Sequence, residues 1–276
     1  MDAALSHYLD VGRQAVLEAG RIIRAAREGK DAETSCKPDG TPNSSGNQQA
    51  EVRVVELLLA AFPEHRFHGE LTGKVQKESQ TPFLWAFDAI DGAWAYCNHE
   101  TTTCTVLVLL EKSRAVLGLV YNPFTGELFE VARQGGVLVN GRPLPLVRPA
   151  NLAKGVLNYQ IPRCMREEID AILDLWSDRK VGRVLCTGGS PVYALARVAQ
   201  GSYAATVLAP THTPAMPWDL TAGTLLVEKA GGRVTDLQGN PIQPLTHTGW
   251  LVAGTYKKIH TETLDLLQRY GLGLNR

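Results

Sequence analysis

The sequence predicts an α/β fold made of two parts, an α+β unit followed by an α/β unit. In the first half, two helical patterns precede a run of β-hairpins, whereas helices and short strands alternate in the second half. The chain has 276 residues, of which 44% are hydrophobic and 20% are charged, so it can bury a sizeable core. We therefore predict one unit over residues 1–150 and another over residues 151–276.

The first unit begins with two amphipathic helices, predicted over residues 3–27 and 47–62. Gly29 is a typical helix end, and Pro63 cannot continue the second helix. Residues 36–46 are rich in Pro, Gly, Ser and Asn, and they predict a loop between the two helices.

A run of strands follows these helices. Residues 66–70 form a short predicted strand that ends in an acid, and residues 84–87 form an apolar strand with two aromatics. Three further strand patterns, separated by Gly-containing turns, predict an antiparallel sheet. These strands are predicted over residues 101–110, 116–121 and 127–133.

The second unit follows a connector over residues 144–153. A segment with three prolines, residues 209–217, predicts a loop within this unit. The helices are predicted over residues 166–176, 188–199, 218–229 and 260–271. The strands are predicted over residues 183–186, 203–208, 233–235 and 250–253. Such alternation is typical of an α/β architecture.

The balance of 28 basic and 28 acidic residues argues against a nucleic-acid partner that is recruited by bulk charge. A local phosphate site is compatible with this balance, because metal ions can supply positive charge. Five cysteines without zinc-type spacing predict reduced thiols in a cytoplasmic protein. No apolar run approaches the ~20 residues that cross a bilayer, and the first 20 residues hold no signal-peptide pattern, so we expect no membrane partner.

Two carboxylates stand at the carboxyl end of the strand predicted over residues 84–87. Asp88 and Asp91 follow this strand, and Gly92 comes directly after them. Two unpaired carboxylates this close repel each other unless a cation lies between them, and Mg²⁺ favours such hard oxygen ligands. An ordinary turn is the alternative, because Asp and Gly are common turn residues. These residues alone leave both interpretations open.

Two more acids and a glycine-rich segment stand at comparable positions. Glu70 ends a predicted strand, and Asp219 begins a predicted helix, where an acid is also explained by the helix dipole. Gly188, Gly189 and Ser190 precede a helix, either as an anion site or simply as a helix start. The sequence shows no zinc-type histidine spacing and no Ser/His/Asp pattern, which argues against a zinc site and a covalent hydrolase.

As a set, these residues resemble the signatures of the inositol monophosphatase family. The Asp88-Ala-Ile-Asp-Gly92 segment is similar to its DPIDG metal motif, and Trp218-Asp-Leu-Thr-Ala-Gly223 is similar to its second signature. Gly69-Glu70 resembles the start of its GEE segment, and further landmarks occur in order along nearly the whole chain. The resemblance implies a layered αβαβα sandwich of the inositol monophosphatase and fructose-1,6-bisphosphatase type. It also implies a homodimer that hydrolyses small phosphate monoesters with Mg²⁺.

The same resemblance implies roles for single residues. The metal ligands would be the carboxylates of Glu70, Asp88, Asp91 and Asp219 together with the Ile90 carbonyl. Catalysis would involve Glu70, Asp88 and Asp91, and the substrate would contact Gly92, Ala93, Gly189, Ser190 and Asp219. Mg²⁺ is the expected cofactor, with Mn²⁺ as a substitute, and two such ions can hold a phosphate and a water in line.

The chain departs from the family pattern where the attacking water is activated. The family's Asp and Thr, which orient and deprotonate that water, are replaced by Asn47 and Ala93, and neither side chain can accept a proton. The second acid of the GEE segment is Leu71, and Leu208 replaces an acid that contacts a polyol hydroxyl. A positioned base contributes typically 10²–10⁴-fold to the rate, so the site can keep its metals and hydrolyse slowly, with Glu70 as a partial substitute.

We therefore predict Mg²⁺-dependent hydrolysis of a small phosphate monoester, namely a sugar, polyol or nucleotide phosphate. The alternative is a non-hydrolytic member of the same fold, which binds a phosphorylated ligand or catalyses a different reaction. Asn47 and Ala93 separate the two hypotheses, because they remove the water-activating pair while leaving the proposed metal ligands in place.

Overall fold

The computed structural model describes residues 3–29, 34–36, 42–76, 78–160, 166–211 and 215–272. The helices in these residues are α1 (Ala3–Glu28), α2 (Ser45–Ala61), α3 (Ala93–Cys97), α4 (Arg166–Ser177), α5 (Pro191–Gln200), α6 (Pro217–Lys229) and α7 (Lys257–Arg269). The strands are β1 (Thr34–Cys36), β2 (Pro42–Ser44), β3 (Arg66–Gly69), β4 (Gly73–Val75), β5 (Phe83–Asp91), β6 (Cys104–Glu111), β7 (Arg114–Asn122), β8 (Glu127–Ala132), β9 (Val137–Val139), β10 (Arg142–Pro143), β11 (Val156–Gln160), β12 (Arg183–Cys186), β13 (Ala205–Thr211), β14 (Arg233–Thr235) and β15 (Gly249–Gly254).

The first half of the chain builds an eight-stranded sheet in the order β10-β9-β8-β7-β6-β5-β3-β4. Neighbouring strands are antiparallel except β3 and β5, which pair in parallel. The central strand β6 is buried at seven successive positions from Cys104 to Leu110. Burial at successive positions means that both faces of the sheet are covered. The predicted antiparallel sheet is confirmed.

The second half builds a five-stranded sheet in the order β12-β11-β13-β15-β14. β11 pairs in parallel with β12 and β13, while β15 pairs antiparallel with β13 and β14. Helices α4 and α5 connect the parallel strands, as the alternation of helix and strand in the sequence predicts.

The helices and the two sheets form five layers. α1 and α2 cover the outer face of the eight-stranded sheet, α5 and α6 lie between the two sheets, and α4 and α7 cover the five-stranded sheet. This arrangement confirms the layered αβαβα sandwich. In the described part of the chain, no helix combines the length and the apolar character needed to cross a membrane.

Apolar side chains fill each of the spaces between layers. The central cluster lies around α5 and α6 and combines residues of both halves, such as Phe129 from β8 and Leu195 from α5. A second cluster under α1 and α2 contains Trp85, and a third under α4 and α7 contains Ile172. The middle helices therefore join the two sheets into one body.

Several predicted boundaries were wrong. Within the predicted loop over residues 36–46, the structure has the strand β2 and the start of α2, while residues 37–41 lie outside the described residues. The strand β13 runs to Thr211, into the predicted proline loop, because a register shift after Leu208 keeps it paired with β15. The short helix α3 was not predicted.

The strand β11 was also missed, and its sequence explains why. Asn158 and Gln160 interrupt its apolar pattern, yet both are buried. Their side-chain amides donate hydrogen bonds to Thr187 Oγ1, at 2.8 Å from Asn158 and 3.3 Å from Gln160. Polar side chains that are satisfied inside the fold do not produce the periodicity from which strands are recognised.

Candidate functional site

The acidic corner begins inside β5 rather than after it. Asp88 pairs with Val106 of β6 and Asp91 pairs with Cys104, with a register shift between the two pairs. Such bulges are frequent beside active sites, where they redirect side chains. The Ile90 N–H donates to Asp88 Oδ1 at 2.8 Å, and both acids are buried or nearly so. The prediction that the strand ends before the acids was wrong, because the bulge interrupts the apolar pattern without ending the strand.

Glycines let the turn after β5 pack closely against the segment that precedes α5. Gly92 has a left-handed φ of 91°, and a Cβ at this position would lie 2.7 Å from the Ser190 backbone nitrogen. Gly189 approaches the backbone of Thr102 so closely that it also has no room for a side chain. The structure therefore brings together Gly92, Gly189 and Ser190, with Ala93 next in the chain, all of which were predicted to contact substrate.

Asp91 is tied to the start of α5. Its Oδ2 accepts hydrogen bonds from the Ser190 hydroxyl and, at 3.2 Å, from the Val192 N–H. Ser190 Oγ also accepts the Tyr193 N–H at 2.8 Å, so Ser190 is the N-cap of α5. Within the described residues, every hydrogen bond to the Asp91 carboxylate reaches Oδ2 and none reaches Oδ1. Oδ2 thus holds Asp91 to the start of α5, and Oδ1 is available to a ligand.

Asp219 and Glu70 approach the same corner from other elements. Asp219 lies in the first turn of α6, where its Oδ2 accepts the Met216 N–H at 2.7 Å. The neighbouring Trp218 packs edge-on against His68 of β3, with ring centroids 5.1 Å apart. Because His68 is two residues before Glu70, this ring contact places the end of β3 beside the start of α6. Both acids are half-buried.

Asp219 and Glu70 also act electrostatically on Asp91. The pKa of the Asp91 carboxyl is raised to about 7, first because burial disfavours its charged form and also because Asp219 and Glu70 carry negative charge nearby. The hydrogen bonds from Ser190 and Val192 favour the carboxylate and oppose this rise. Three separate parts of the sequence therefore concentrate negative charge at one place.

The donor groups at this corner fit a hard divalent cation. They are oxygen atoms, and a cation would relieve the repulsion that raises the Asp91 pKa. In the part of the chain that the structure describes, no three His, Cys, Asp or Glu side chains already stand at metal-binding spacing. The roles of the predicted ligands Glu70, Asp88, Ile90, Asp91 and Asp219 therefore remain predictions.

The residues that replace the water-activating pair lie at the starts of two helices. Asn47 is buried in the first turn of α2, and Ala93 is the half-buried first residue of α3. Trp94 is 59% exposed beside them, whereas the Tyr96 hydroxyl donates to the Ile23 carbonyl at 2.9 Å and belongs to the core. After the turn that contains Gly92, Trp94 and His99 are thus accessible to a ligand.

Sequence reasoning missed Glu51, a fully buried acid on α2. Its carboxylate accepts the backbone N–H groups of Leu71 and Thr72. Burial raises the pKa of Glu51, whereas these two hydrogen bonds lower it. The sequence pattern did not reveal it, because the apolar residues Val52 and Val55 indicate a different inward face, whereas the structure buries Asn47, Glu51 and Val54 and leaves Val52 44% exposed.

Comparison with known proteins finds relatives that match nearly the whole chain. A family model described as "Inositol monophosphatase family" matches residues 4–272. A protein of Aquifex aeolicus named "Fructose-1,6-bisphosphatase/inositol-1-monophosphatase" is 27% identical over 270 residues, covering 96% of this chain and 97% of that protein. A protein of Neisseria meningitidis serogroup B named "Putative Nus factor SuhB" is 27% identical over 255 residues, covering 91% and 92%. The solved structure of an inositol monophosphatase from Anabaena has a TM-score of 0.77 and 26% identity, covering 97% of each chain.

Proposed function

Because the chain belongs to the inositol monophosphatase family, we propose that it hydrolyses a small phosphate monoester with Mg²⁺ as its cofactor. Family membership supports phosphate monoester hydrolysis and the use of a divalent cation. The observation that carries the proposal is the convergence of Asp91, Asp219 and Glu70, whose charges act on one another. In this proposal the substrate is a sugar, polyol or nucleotide phosphate, Mn²⁺ can substitute for Mg²⁺, and the protein acts as a cytoplasmic homodimer.

In this proposal the acids hold the cation and the turn holds the phosphate. The ligands are the carboxylates of Glu70, Asp88, Asp91 and Asp219 and the carbonyl of Ile90. When bound, Mg²⁺ neutralises phosphate charge and stabilises the attacking and leaving oxygens. The backbone amides of Gly92 and Ala93 donate to phosphate oxygens, as amides in tight turns do. Gly189 and Ser190 border the substrate, and the Ser190 hydroxyl also fixes the orientation of Asp91.

Glu70 is the proposed base for the attacking water. Asn47 is a neutral amide and Ala93 has no polar side-chain atom, so neither accepts a proton. The Glu70 carboxylate acts on Asp91 electrostatically and stands at the same corner. A base that also serves as a metal ligand is less basic than a free carboxylate, so hydrolysis is expected to be slower than with the full Asp/Thr pair.

A phosphate-release assay with a panel of phosphate monoesters tests the proposal. Wild-type protein with Mg²⁺ should release phosphate from at least one ester, and chelation by EDTA should stop the release. Asp91→Asn should lower the rate by at least ~100-fold, because it removes the charge of a residue that is proposed both as a metal ligand and as a catalytic acid. Asp265→Asn, an exposed change on α7, is the control and should keep the wild-type rate. Release that survives both EDTA and Asp91→Asn would contradict the proposal.

A further inference from the structure

Glu51 is a buried acid whose partners are backbone amides rather than a cationic side chain. Its side chain is 0% exposed. The Leu71 N–H lies 2.9 Å from Oε1 and 3.0 Å from Oε2, and the Thr72 N–H lies 2.5 Å from Oε2. Among the described residues, no salt bridge includes Glu51. Burying a carboxylate without a cation is costly, and an apolar residue in this helix would pack without that cost.

The turn after β3 is built around this carboxylate. A Cβ on Gly69 would lie 2.7 Å from Glu51 Cδ and 2.6 Å from Thr72 Oγ1, so residue 69 has to be glycine. Glu70 stands between Gly69, which packs against the Glu51 carboxylate, and Leu71, which donates to it. The backbone on both sides of Glu70 is therefore held by one side chain of α2.

A second feature connects Glu51 with the acidic corner. The negative charge of Glu70 acts on Glu51 and also on Asp91, so Glu70 stands between the buried carboxyl group of Glu51 and the acidic corner. The chain lacks the family's second acid after Glu70, where it has Leu71. Glu51 binds the backbone of that same residue, from a different element.

We propose that Glu51 is a positioning residue for Glu70: its carboxylate holds the turn over residues 69–72 and thereby sets the orientation of Glu70 toward the divalent cation. The inference rests on the proposed function, because it assigns Glu51 to the same site. A carboxylate suits this task because it has two acceptor oxygens for two neighbouring N–H groups, and its charge strengthens both hydrogen bonds. Groups that orient a metal ligand typically change metal affinity by 10–100-fold when they are replaced.

Calorimetric titration with Mn²⁺ tests this role without relying on turnover. Glu51→Gln keeps the shape of the side chain but removes the charge and one acceptor, and it should weaken Mn²⁺ binding by at least ~10-fold. Glu51→Asp keeps the charge and should recover part of that loss. Glu130→Gln is the matched control, because Glu130 is also buried but pairs with Arg13 at 2.8 Å. It should lower the melting temperature and leave Mn²⁺ affinity unchanged.

A double-mutant cycle separates positioning from general destabilisation. In a Glu70→Ala background, Glu51→Gln should cause no further loss of Mn²⁺ affinity, because the residue through which Glu51 acts is gone. Equal Mn²⁺ binding by wild type and Glu51→Gln would overturn the inference and leave the proposed function standing. Failure of the wild type to bind Mn²⁺ at all would overturn both.

A measurement on the wild type covers the case in which Glu51→Gln does not fold. Amide hydrogen exchange should show protection at Leu71 and Thr72, although both lie in a turn, and Mn²⁺ should slow their exchange further. Unprotected amides, or exchange that does not respond to Mn²⁺, would overturn the inference.

Discussion

At the scale of the single residue, the two oxygens of the Asp91 carboxylate have different roles. Its Oδ2 accepts hydrogen bonds from the start of α5, and among the described residues its Oδ1 accepts none. The partial positive charge at a helix N-terminus favours a carboxylate there, which offsets part of the cost of burying Asp91. The proposed ligand is therefore oriented by the fold before any ion arrives.

Restoring the missing pair tests how far Glu70 replaces it. The double variant Asn47→Asp, Ala93→Thr should raise the phosphate-release rate by ~10–100-fold, because it supplies a proton acceptor and a hydroxyl beside the proposed water. Each single variant should gain much less, since the two residues act as a unit. Initial rates on the best ester of the panel measure the gain. A double variant no faster than the wild type would show that Glu70 alone suffices.

His260 gives the stability a pH dependence that is independent of the acidic corner. Burial, with the nearby charge of Arg233, lowers the pKa of His260 from 6.5 to about 4, and its Nε2 lies 2.9 Å from Thr235 Oγ1. Between these two pH values the unfolded chain binds a proton that the folded protein does not. His260 should therefore contribute a rise in the free energy of unfolding across this window, on the order of 2 kcal/mol. Asp91 contributes in the opposite direction, because its pKa is raised to about 7 and the folded protein then holds a proton that the unfolded chain has lost.

Urea unfolding at several pH values checks this prediction. Compared with the wild type, His260→Gln should have a free energy of unfolding that rises less, or falls more, with pH between pH ~4 and 6.5, because the variant has no imidazole to protonate in the unfolded state. His99→Gln, at an exposed position, should keep the wild-type slope. An unchanged slope in His260→Gln would assign the pH dependence to other groups.

At the scale of elements, the close packing of the turn after β5 against the start of α5 should contribute most to stability. Gly92→Ala should lower the free energy of unfolding by about 3 kcal/mol or more, because it combines a left-handed φ with a Cβ placed 2.7 Å from the Ser190 nitrogen. Gly126→Ala is the matched control, with a φ of 74° but no atom within 4 Å of the new Cβ. It should cost about 1 kcal/mol. Chemical denaturation of both variants measures the difference, and equal losses would argue against close packing at Gly92.

Regular periodicity made most elements predictable from the sequence. The two N-terminal helices, the hairpins and the alternation in the second half produce apolar repeats that the fold retains. Three strands that were missed or shortened have a local irregularity instead: buried amides in β11, a bulge in β5 and a register shift in β13. Such features depend on partners distant in the sequence, so a local pattern cannot reveal them.

The candidate site was predictable to a similar extent. Motif resemblance predicts Glu70, Asp88, Asp91 and Asp219 as site residues, because their residue types and spacing are local properties. The hydrogen bond from Ser190 to Asp91 and the support from Glu51 link residues far apart in the chain. These contacts are visible only in the folded structure, since nothing in the sequence near either acid indicates which distant residue it contacts.

At the scale of the whole molecule, the layer formed by α5 and α6 joins the two sheets. The division at residue 150 separates the strands of one sheet from those of the other, but the helices that cover the inner face of the first sheet come from the second half. Val106, Val108 and Val120 of the first half pack in the central cluster with residues of α5 and α6. The two sheets are therefore built from different halves of the chain and share the central cluster.

A fragment of residues 1–150 should consequently not reach a native state. It would expose the apolar inner face of the eight-stranded sheet, which the middle helices cover in the full chain. We expect strong binding of a hydrophobic dye and poor dispersion in amide NMR spectra, which are signs of a collapsed chain without fixed packing. The full chain under the same conditions is the control. A well-dispersed spectrum of the fragment would show that the first unit folds alone.

The bond between Asp91 and the start of α5 has a consequence for gene recombination. The acid and its serine partner come from opposite halves, so exchanging one half with a relative would separate a matched pair. Hybrids that inherit Asp91 and Ser190 from one parent should retain the pocket, whereas crossovers between those positions would survive only where both parents encode compatible partners. The positions at which crossovers are tolerated would then show which segments of the chain have to be inherited together to keep the proposed site.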